Sequence, residues 1–444
     1  MTVTQPLRTR PLRPRFDDHR THLARLRAAA LAAVEPAAAV RRWLSAADLA
    51  GADKIYLVGA GKAGAAMAAA AAEIAGDKLA AGVMAVPHLP DSALERVTFV
   101  EGGHPSPTAG SLTAGRAVEA LLSLATERDL VLALISGGGS ALLELTRPGI
   151  SLDDLQATTA LLLRSGAAIH EVNAVRRQLS QIKGGGLARM AHPAQVLGLI
   201  LSDVVGSPLA SIASGPTVIG PADPGAALAV VARYALADEL PPAVRQALLH
   251  GTGPLASEPP RVENRLIGSN RQALEAALAA AAEMGFEAES AGDDWQGEAR
   301  EAGRRFAQRV SQPPEAPLAG PLRAGPLRRT ARCLIAGGET TVTVRGRGLG
   351  GRNQEAALAA GTLIAGLANI AIATFATDGV DGPTDAAGAI VTGETVPHAR
   401  ENGLDPQRYL DNNDSYNFFA ATGGLVLSGP TGTNVNDLWF GLAY

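Results

Sequence analysis

The stretch Leu130-Val-Leu-Ala-Leu-Ile135-Ser-Gly-Gly-Gly-Ser140 indicates the fold of the first half of the chain. Its six apolar residues predict a buried parallel strand, because helices cover both faces of such a strand. A tight turn before a helix is then predicted at Ser136, Gly137, Gly138, Gly139 and Ser140. Glycine N–H groups at a helix N-terminus attract anions, so we expect this turn to hold a phosphate or a carboxylate. The alternative is a turn that serves backbone packing.

The composition is that of a globular protein and argues against several functional classes. The chain has 444 residues, of which 47% are hydrophobic and 18% are charged, with a net charge of -4. This charge balance gives no reason to expect nucleic-acid or membrane-surface binding. No apolar run reaches the roughly 20 residues of a membrane span. Cys333 is the single cysteine, so we expect no intrachain disulfide and a cytoplasmic location.

Alternating strand and helix patterns predict an α/β protein of two domains. We expect residues 1–15 to be a disordered tail. Residues 16–255 should form an N-terminal Rossmann-like domain with a doubly wound parallel sheet. Residues 261–444 should form a smaller C-terminal α/β domain that begins with a strand at 265–268. This boundary follows a Gly/Pro-rich stretch, residues 251–260.

Two further local features are predicted in the second half of the chain. The residues 340–344 (Thr-Thr-Val-Thr-Val) have the composition of a strand. Residues 313–326 are rich in proline and glycine, which predicts an exposed irregular loop without a function.

Residues 59–64 match the pattern G-x-G-x-x-G between a predicted strand and a predicted helix. Gly59 and Gly61 are therefore candidates for ligand binding. The acidic residue about 20 positions later, which binds the ribose of a dinucleotide, is missing. Lys62 adds a positive charge, which favours a phosphoryl or carboxylate group. A dinucleotide site and a purely packing turn remain as alternatives.

Polar residues of the first half supply further candidates. His104 is a possible acid–base group or a structural turn residue. Asn173, Arg176 and Arg177 lie on a predicted helix, and Lys183 precedes a second triple glycine, so these residues suggest a second anion contact. The alternative is surface arginines and a glycine that caps the helix. Asp203 follows a predicted strand directly, where a carboxylate serves as a metal ligand, a base or a helix cap.

The second half places a base and several acids on glycine-rich turns. Glu339 follows Gly337 and Gly338, and the candidates Arg352 and Asn353 lie at the start of a predicted helix. Asp378 and Asp381 follow a buried strand and fit Mg²⁺, which needs one or two carboxylates when phosphates supply other ligands. The alternative for these acids is an Asx-turn. Bases and acids on anion-binding turns are together typical of phosphoryl transfer.

These motifs resemble the class II glycerate kinases, which are glycerate 2-kinases with a C-terminal MOFRL domain. The resemblance extends from residue 16 to residue 444. It is carried by residues 59–64, 101–108, 135–140, 173–186, 202–206, 214–217, 337–340, 350–355, 377–382 and 429–437.

The resemblance implies transfer of the ATP γ-phosphate to D-glycerate, with Mg²⁺, in a cleft between two α/β domains. The expected product is 2-phosphoglycerate. Lys62 and Arg352 are implied as the essential basic pair. Ligand-binding positions are expected at Gly59, Gly61, Ser136, Gly137, Gly138, Gly139, Ser140, Asn173, Arg176, Lys183, Glu339 and Asn353.

Charge and position suggest Asp203, Asp378 and Asp381 as ligands of Mg²⁺. Some proteins of this family are labelled hydroxypyruvate reductases, so an NAD(P)H-dependent reductase is the alternative enzyme. The missing ribose-binding acid argues against that alternative. A non-catalytic anion sensor would explain the glycine turns but not the aspartates. The sequence leaves a homodimer open.

Overall fold

The structure is a computed structural model that describes residues 14–220, 223–250, 260–312 and 330–444. The predicted loop at 313–326 and most of the predicted tail at 1–15 lie outside the described residues. The described strands are β1 (Ile55–Ala60), β2 (Leu79–Val86), β3 (Val97–Glu101), β4 (Leu130–Ile135), β5 (Gln195–Leu201), β6 (Val262–Gly268), β7 (Glu287–Trp295), β8 (Arg332–Gly338), β9 (Ile370–Ala376), β10 (Gly388–Thr392), β11 (Leu425–Val426) and β12 (Asp437–Ala443).

The helices follow the same chain-order numbering. They are α1 (His19–Ala33), α2 (Pro36–Trp43), α3 (Ala46–Leu49), α4 (Gly64–Ala75), α5 (Ala109–Leu122), α6 (Gly139–Leu142), α7 (Leu152–Arg164), α8 (Ile169–Leu179), α9 (Gly186–Ala191), α10 (Pro224–Arg233), α11 (Pro242–His250), α12 (Asn270–Glu283), α13 (Ala299–Ser311), α14 (Arg352–Ile364), α15 (Thr395–Glu401), α16 (Pro406–Asp411) and α17 (Ser415–Thr422). Short 3₁₀ turns occur at Phe16–Asp18, Gly76–Lys78 and Ile212–Ser214.

The chain forms two compact units whose limits differ from the predicted division at 16–255 and 261–444. The N-terminal unit contains residues 34–269 and 432–434, and the C-terminal unit contains the described residues up to Ala33 together with 270–431 and 435–444. Strand β6 pairs in parallel with β5, so it ends the first sheet and does not begin the second domain. Helix α1 packs on α12, which assigns it to the C-terminal unit.

The N-terminal unit contains the predicted doubly wound parallel sheet. Its strand order is β3-β2-β1-β4-β5-β6, and every neighbouring pair is parallel. Helices α5 and α9 form a core with one face of this sheet, while Ile55 and Leu57 are buried on the other face and α2 and α4 also contact the strands. The strand order reverses between β1 and β4, and parallel sheets bind ligands at the carboxyl ends of strands at such a point.

A helical layer completes the N-terminal unit. Helices α7, α8, α10 and α11 share a core that includes Leu155, Val175, Val231 and Val244. The sequence pattern predicts one helical segment over 226–250, but the structure divides it into α10 and α11. This layer fixes the position of α8, which carries Asn173 and Arg176.

The C-terminal unit contains a mixed sheet in the order β11-β10-β9-β12-β8-β7. The pair β7 and β8 is parallel, and the other neighbouring pairs are antiparallel. Helices α13 and α14 cover one face with a core around Phe306 and Leu358. The strand predicted at 340–344 is wrong: Thr341 forms an isolated bridge to Glu298, and the Glu298 carboxylate accepts the Thr343 N–H. In the part of the chain that the structure describes, no helix is both long enough and apolar enough to span a membrane.

Candidate active site

The G-x-G-x-x-G turn after β1 is packed against the triple-glycine turn after β4. The Lys62 N–H donates to Gly137 O at 2.9 Å, and the Ala63 N–H donates to Ser136 Oγ at 3.1 Å. Gly61 has a φ of +143°, and a Cβ there would lie 2.0 Å from Ser136 Oγ. These N–H groups are therefore engaged within the protein, which favours the packing interpretation of Gly61.

Gly59 also has a packing role. It lies in β1 beside β4, and a Cβ at this position would lie 2.0 Å from Leu134 O. A side chain there would push the two strands apart. Neither Gly59 nor Gly61 is thus positioned as a dinucleotide cradle.

The triple-glycine turn, in contrast, keeps two donors available. The N–H groups of Gly137 and Gly138 have no hydrogen-bond partner among the described residues. Gly138 adopts the left-handed conformation with φ of +82° and caps the short helix α6. A glycine is needed here because other residues adopt this conformation at a cost. The turn therefore has two backbone donors that an anion could use, and its role in ligand binding stays a prediction.

Two titratable side chains lie directly against this turn. A Cβ at Gly137 would be 2.2 Å from Asp203 Oδ2, and a Cβ at Gly138 would be 3.0 Å from His104 Cδ2. Burial, together with the nearby charge of Lys62, lowers the pKa of His104 below its ordinary value. His104 is consequently a neutral imidazole at pH 7, with one ring nitrogen able to accept a proton.

Helix α8 and the 3₁₀ turn at Ile212–Ser214 contact Ser140, the last residue of the triple-glycine turn. The Arg176 guanidinium donates to Ser140 O at 2.9 Å, and the hydroxyl oxygens of Ser140 and Ser214 are 3.0 Å apart. The Ser214 hydroxyl in turn donates to Asn173 Oδ1 at 3.3 Å. Arg176 is buried and its pKa is lowered by that burial. Asn173 and Arg176 thus lie beside the turn, and Arg176 helps to position Ser140.

Lys183 supports the site from the protein interior. Its Nζ atom lies 2.6 Å from Glu144 Oε2, and both side chains are 0% exposed. Burial lowers the pKa of Lys183 to about 8, although the charge of Glu144 opposes that shift. Glu144 also accepts a hydrogen bond from the Ser180 hydroxyl at 2.5 Å. With no exposed surface, the Lys183 ammonium has no direct route to a ligand in this arrangement.

In the C-terminal unit, Arg352 is held by two acids at the start of α14. Its Nε and Nη2 atoms bind Asp437 at 2.7 and 3.0 Å, and its Nη1 atom lies 3.3 Å from Glu339 Oε1. Burial lowers the pKa of Arg352, but the charge and hydrogen bonds of Asp437 outweigh burial and raise it overall. Arg352 is therefore a permanent, oriented cation whose side chain is 30% exposed.

Asp381 and Asn353 are buried beneath Arg352. The Asp381 carboxylate accepts the N–H groups of Asn353 and Gln354 at 3.0 and 2.8 Å, and so caps α14. Burial raises the pKa of Asp381 to about 7. The Asn353 side chain donates to Asp381 and accepts from Trp439 Nε1 at 3.0 Å. Both side chains are engaged in structural hydrogen bonds rather than turned towards a ligand.

Asp378 forms the Asx-turn that the sequence allowed as an alternative. Its Oδ1 atom accepts the Val380 N–H at 3.1 Å. The described residues contain no group of three or more His, Cys, Asp or Glu side chains positioned to hold a metal ion. Mg²⁺ ligation by the described residues would therefore rest on one or two carboxylates, with substrate oxygens completing the shell.

The structure thus gathers most predicted residues of the N-terminal unit around one turn. Lys62, Asn173, Arg176 and Asp203 surround Gly137 to Ser140, and the C-terminal unit separately pairs Glu339 with Arg352. Glu144, Ser214 and Asp437 complete these clusters but were not predicted as site residues. Ser214 and Asp437 could have been predicted, because both lie in motifs that carry the family resemblance. Glu144 lies in none of these motifs.

The chain is similar to known proteins over most of its length. Residues 22–249 match the family model described as "Domain of unknown function (DUF4147)", and residues 332–437 match the MOFRL family. The chain is 42% identical over 411 residues to the D-glycerate 2-kinase of Thermotoga maritima, covering 92% of this chain and 95% of that protein.

A crystal structure of glycerate kinase from Thermotoga maritima is similar with a TM-score of 0.87 and 40% identity, covering 96% of this chain and 100% of that one. A putative hydroxypyruvate reductase of Agrobacterium vitis is 41% identical over 393 residues, covering 87% of this chain and 98% of that protein. The kinase and reductase names therefore both occur among proteins that are similar over most of their length.

Proposed function

This chain belongs to the glycerate 2-kinase family with a C-terminal MOFRL domain, and we propose that it transfers the γ-phosphate of ATP to the 2-hydroxyl of D-glycerate. The observation that carries the proposal is the turn at Gly137 and Gly138. Its two available N–H groups lie beside Lys62, His104 and Asp203, so donors, a cation and two proton acceptors converge on one point. Phosphoryl transfer depends mainly on such positioning and on neutralising charge.

Each group near the turn has a distinct task in the proposed reaction. The Gly137 and Gly138 N–H groups bind anionic oxygens, and the Lys62 ammonium neutralises charge that develops on the phosphoryl group. His104 accepts the proton of the glycerate hydroxyl, because its lowered pKa leaves it neutral at pH 7. The family resemblance also implies Arg352, which Asp437 orients within the C-terminal unit, as a basic residue of the reaction.

Mg²⁺ belongs to the proposal through Asp203 rather than through all three predicted aspartates. Asp203 places a carboxylate against the anion-binding turn, which is where a metal would meet phosphate oxygens. Asp381 fits poorly because both of its oxygens accept backbone N–H groups. When bound, Mg²⁺ would neutralise phosphate charge.

The reductase alternative has weaker support. A dinucleotide would need free N–H groups in the turn at residues 61–63, but Gly61 donates to Ala85 O, Lys62 to Gly137 O and Ala63 to Ser136 Oγ. The ribose-binding acid is also missing. We therefore retain the kinase as the proposed activity.

One assay separates the two activities. Purified protein is incubated with ATP, Mg²⁺ and D-glycerate, and in parallel with NADH or NADPH and hydroxypyruvate. ADP formation with a 2-phosphoglycerate signal in phosphorus NMR is the expected result. Nicotinamide oxidation without ADP formation would overturn the kinase. A cytoplasmic location and a homodimer remain proposals, and light scattering of the purified chain tests the homodimer.

A further inference from the structure

A second cationic cavity lies in the N-terminal unit, apart from the turn at Gly137. Three arginines line it: Arg147 in the segment after α6, Arg177 on α8 and Arg189 on α9. Its volume is about 160 Å³, and the residues that line it beside the arginines include Gln178, Lys183 and Gly184. Arg177 is adjacent in sequence to Arg176, and neighbouring helical side chains diverge by about 100°. Arg176 therefore reaches Ser140 while Arg177 lines the cavity.

These arginines have no acidic partner. In the described ranges, no carboxylate oxygen lies within 4.0 Å of any of the three guanidinium groups. Arg177 donates to Ala210 O at 2.6 Å and Arg189 donates to Gly184 O at 2.7 Å. Asp223 also lines the cavity, but its carboxylate caps α10 by accepting the Ala226 N–H at 2.8 Å.

Several polar atoms of the cavity wall are both buried and unpartnered. They are the Nε atoms of Arg147 and Arg177 and the Oε1 atom of Gln178. The Arg147 side chain makes no hydrogen bond to any described residue. Burial lowers the pKa of all three arginines, and the charge of Arg189 lowers the pKa of Arg147 further. These cations repel one another, and three arginines outnumber the Asp223 carboxylate among the described lining residues, so the cavity keeps a net positive charge.

Several other arginines of the described chain have an acidic partner. Among the less exposed arginines of the described chain, Arg265 pairs with Asp48, Arg300 with Glu355 and Arg352 with Asp437. The three converging arginines of the cavity have no such ion pair with a described residue. An external anion is the simplest group that would complete the cavity.

We propose that this cavity binds a small multivalent oxyanion of the phosphate class, either free phosphate or the phosphate group of a small molecule. Guanidinium groups match phosphate oxygens with paired N–H donors. The volume is below the roughly 300–1,000 Å³ of pockets for drug-sized ligands, which favours a small anion. The ligand would tie α8 to α9 and so brace the helix that positions Asn173 and Arg176.

The test measures binding rather than activity, so its result does not depend on the proposed kinase reaction. Inorganic phosphate is titrated calorimetrically into the full chain at constant ionic strength, in the wild type and in Lys62→Gln, which weakens phosphate binding at the turn. Arg147→Gln is the probe, because the Arg147 side chain loses no protein hydrogen bond. Arg164→Gln, an exposed arginine on α7 with the same charge change, is the matched control.

In the Lys62→Gln background, we expect Arg147→Gln to weaken phosphate binding on the order of tenfold or more, as loss of a charged hydrogen bond implies. Arg164→Gln should leave the affinity unchanged. A parallel titration with glycerol 2-phosphate distinguishes the sources, since tighter binding of the ester identifies a phosphorylated small molecule. Equal phosphate affinity in Arg147→Gln and Arg164→Gln would overturn the proposal.

A second measurement guards against a folding defect. In phosphate-free buffer, Arg147→Gln should unfold at the same temperature as the wild type or at a higher one, because the repulsion from Arg189 is relieved. Adding phosphate should raise the unfolding temperature of the wild type more than that of the variant. Equal increases in both proteins would contradict a site at Arg147.

Discussion

The buried pair of Glu144 and Lys183 allows a detailed prediction about the stability of the site. The substitution Glu144→Gln removes the charge 2.6 Å from Lys183 Nζ and leaves the ammonium in a position with 0% exposure. Breaking a buried ion pair by removing one partner costs about 3–5 kcal/mol. We expect a loss of this size in the free energy of unfolding at pH 7, measured by urea denaturation.

The pH dependence gives the prediction its second part. Burial lowers the pKa of Lys183 to about 8, and the negative charge of Glu144 prevents a larger decrease. The folded chain therefore binds fewer protons than the unfolded chain between pH 8 and the ordinary lysine value, so this lysine makes stability rise with pH there. As Lys183 loses its charge, the ion pair disappears in the wild type as well. The difference between Glu144→Gln and the wild type should consequently shrink above pH 8.

Two controls define the result. The double variant Glu144→Gln, Lys183→Met removes both charges and should recover a large part of the lost stability, because no unpaired charge remains buried. Glu119→Gln on the exposed face of α5 should change stability by less than about 0.5 kcal/mol. A loss below about 1 kcal/mol in Glu144→Gln, or additive effects in the double variant, would refute the reasoning.

The remaining predictions concern catalysis and pH. Lys62→Ala and Arg352→Ala should each lower kcat/KM for D-glycerate by on the order of a hundredfold or more, and near-normal kinetics would remove that residue from the mechanism. Wild-type kcat/KM should fall as pH drops below the lowered pKa of His104, and His104→Gln should lose this acidic limb of the rate profile. Asp203→Asn should raise the Mg²⁺ concentration needed for half-maximal rate; an unchanged Mg²⁺ dependence would contradict a ligand role. Asp381 has a pKa raised to about 7, so its contribution to stability is complete below pH 3.8 and is lost as pH rises through 7. In Asp381→Asn, the free energy of unfolding measured with urea should depend less on pH between 3.8 and 7 than in the wild type. The same pH dependence in both proteins would contradict the raised pKa of Asp381.

The sequence predicted the first sheet well because its strands are continuous apolar runs. The apolar runs at 130–135, 195–201 and 370–376 predict strands with the bounds of β4, β5 and β9, and both faces of these strands are buried. The pairing of strands was harder to predict. Strand β6 has the sequence pattern of a strand, but nothing in its local sequence indicates that it pairs with β5. Residues 340–344 have the β-branched composition of a strand but do not form one, because composition does not ensure that a neighbouring strand is present to pair with.

The site was predicted in part for a related physical reason. Glycine turns at strand ends indicate where ligands bind in parallel sheets, so the sequence pointed to the turn at Gly137 and to Lys62 and Asp203, which lie beside it. The sequence does not show which way a side chain points. Lys183 and Asp381 are therefore in the predicted regions but are buried by Glu144 and by the backbone of α14, respectively.

The path of the last residues has a consequence for the biosynthesis of the protein. Residues 432–434 belong to the N-terminal unit, where the Thr433 hydroxyl donates to Val34 O at 2.8 Å, and the next residues lead into β12 between β8 and β9. Neither unit is complete until these residues have left the ribosome. We therefore expect the last folding step to follow the synthesis of residues 432–444, and truncation after residue 431 to impair both units, unlike in proteins whose domains fold one after another during synthesis.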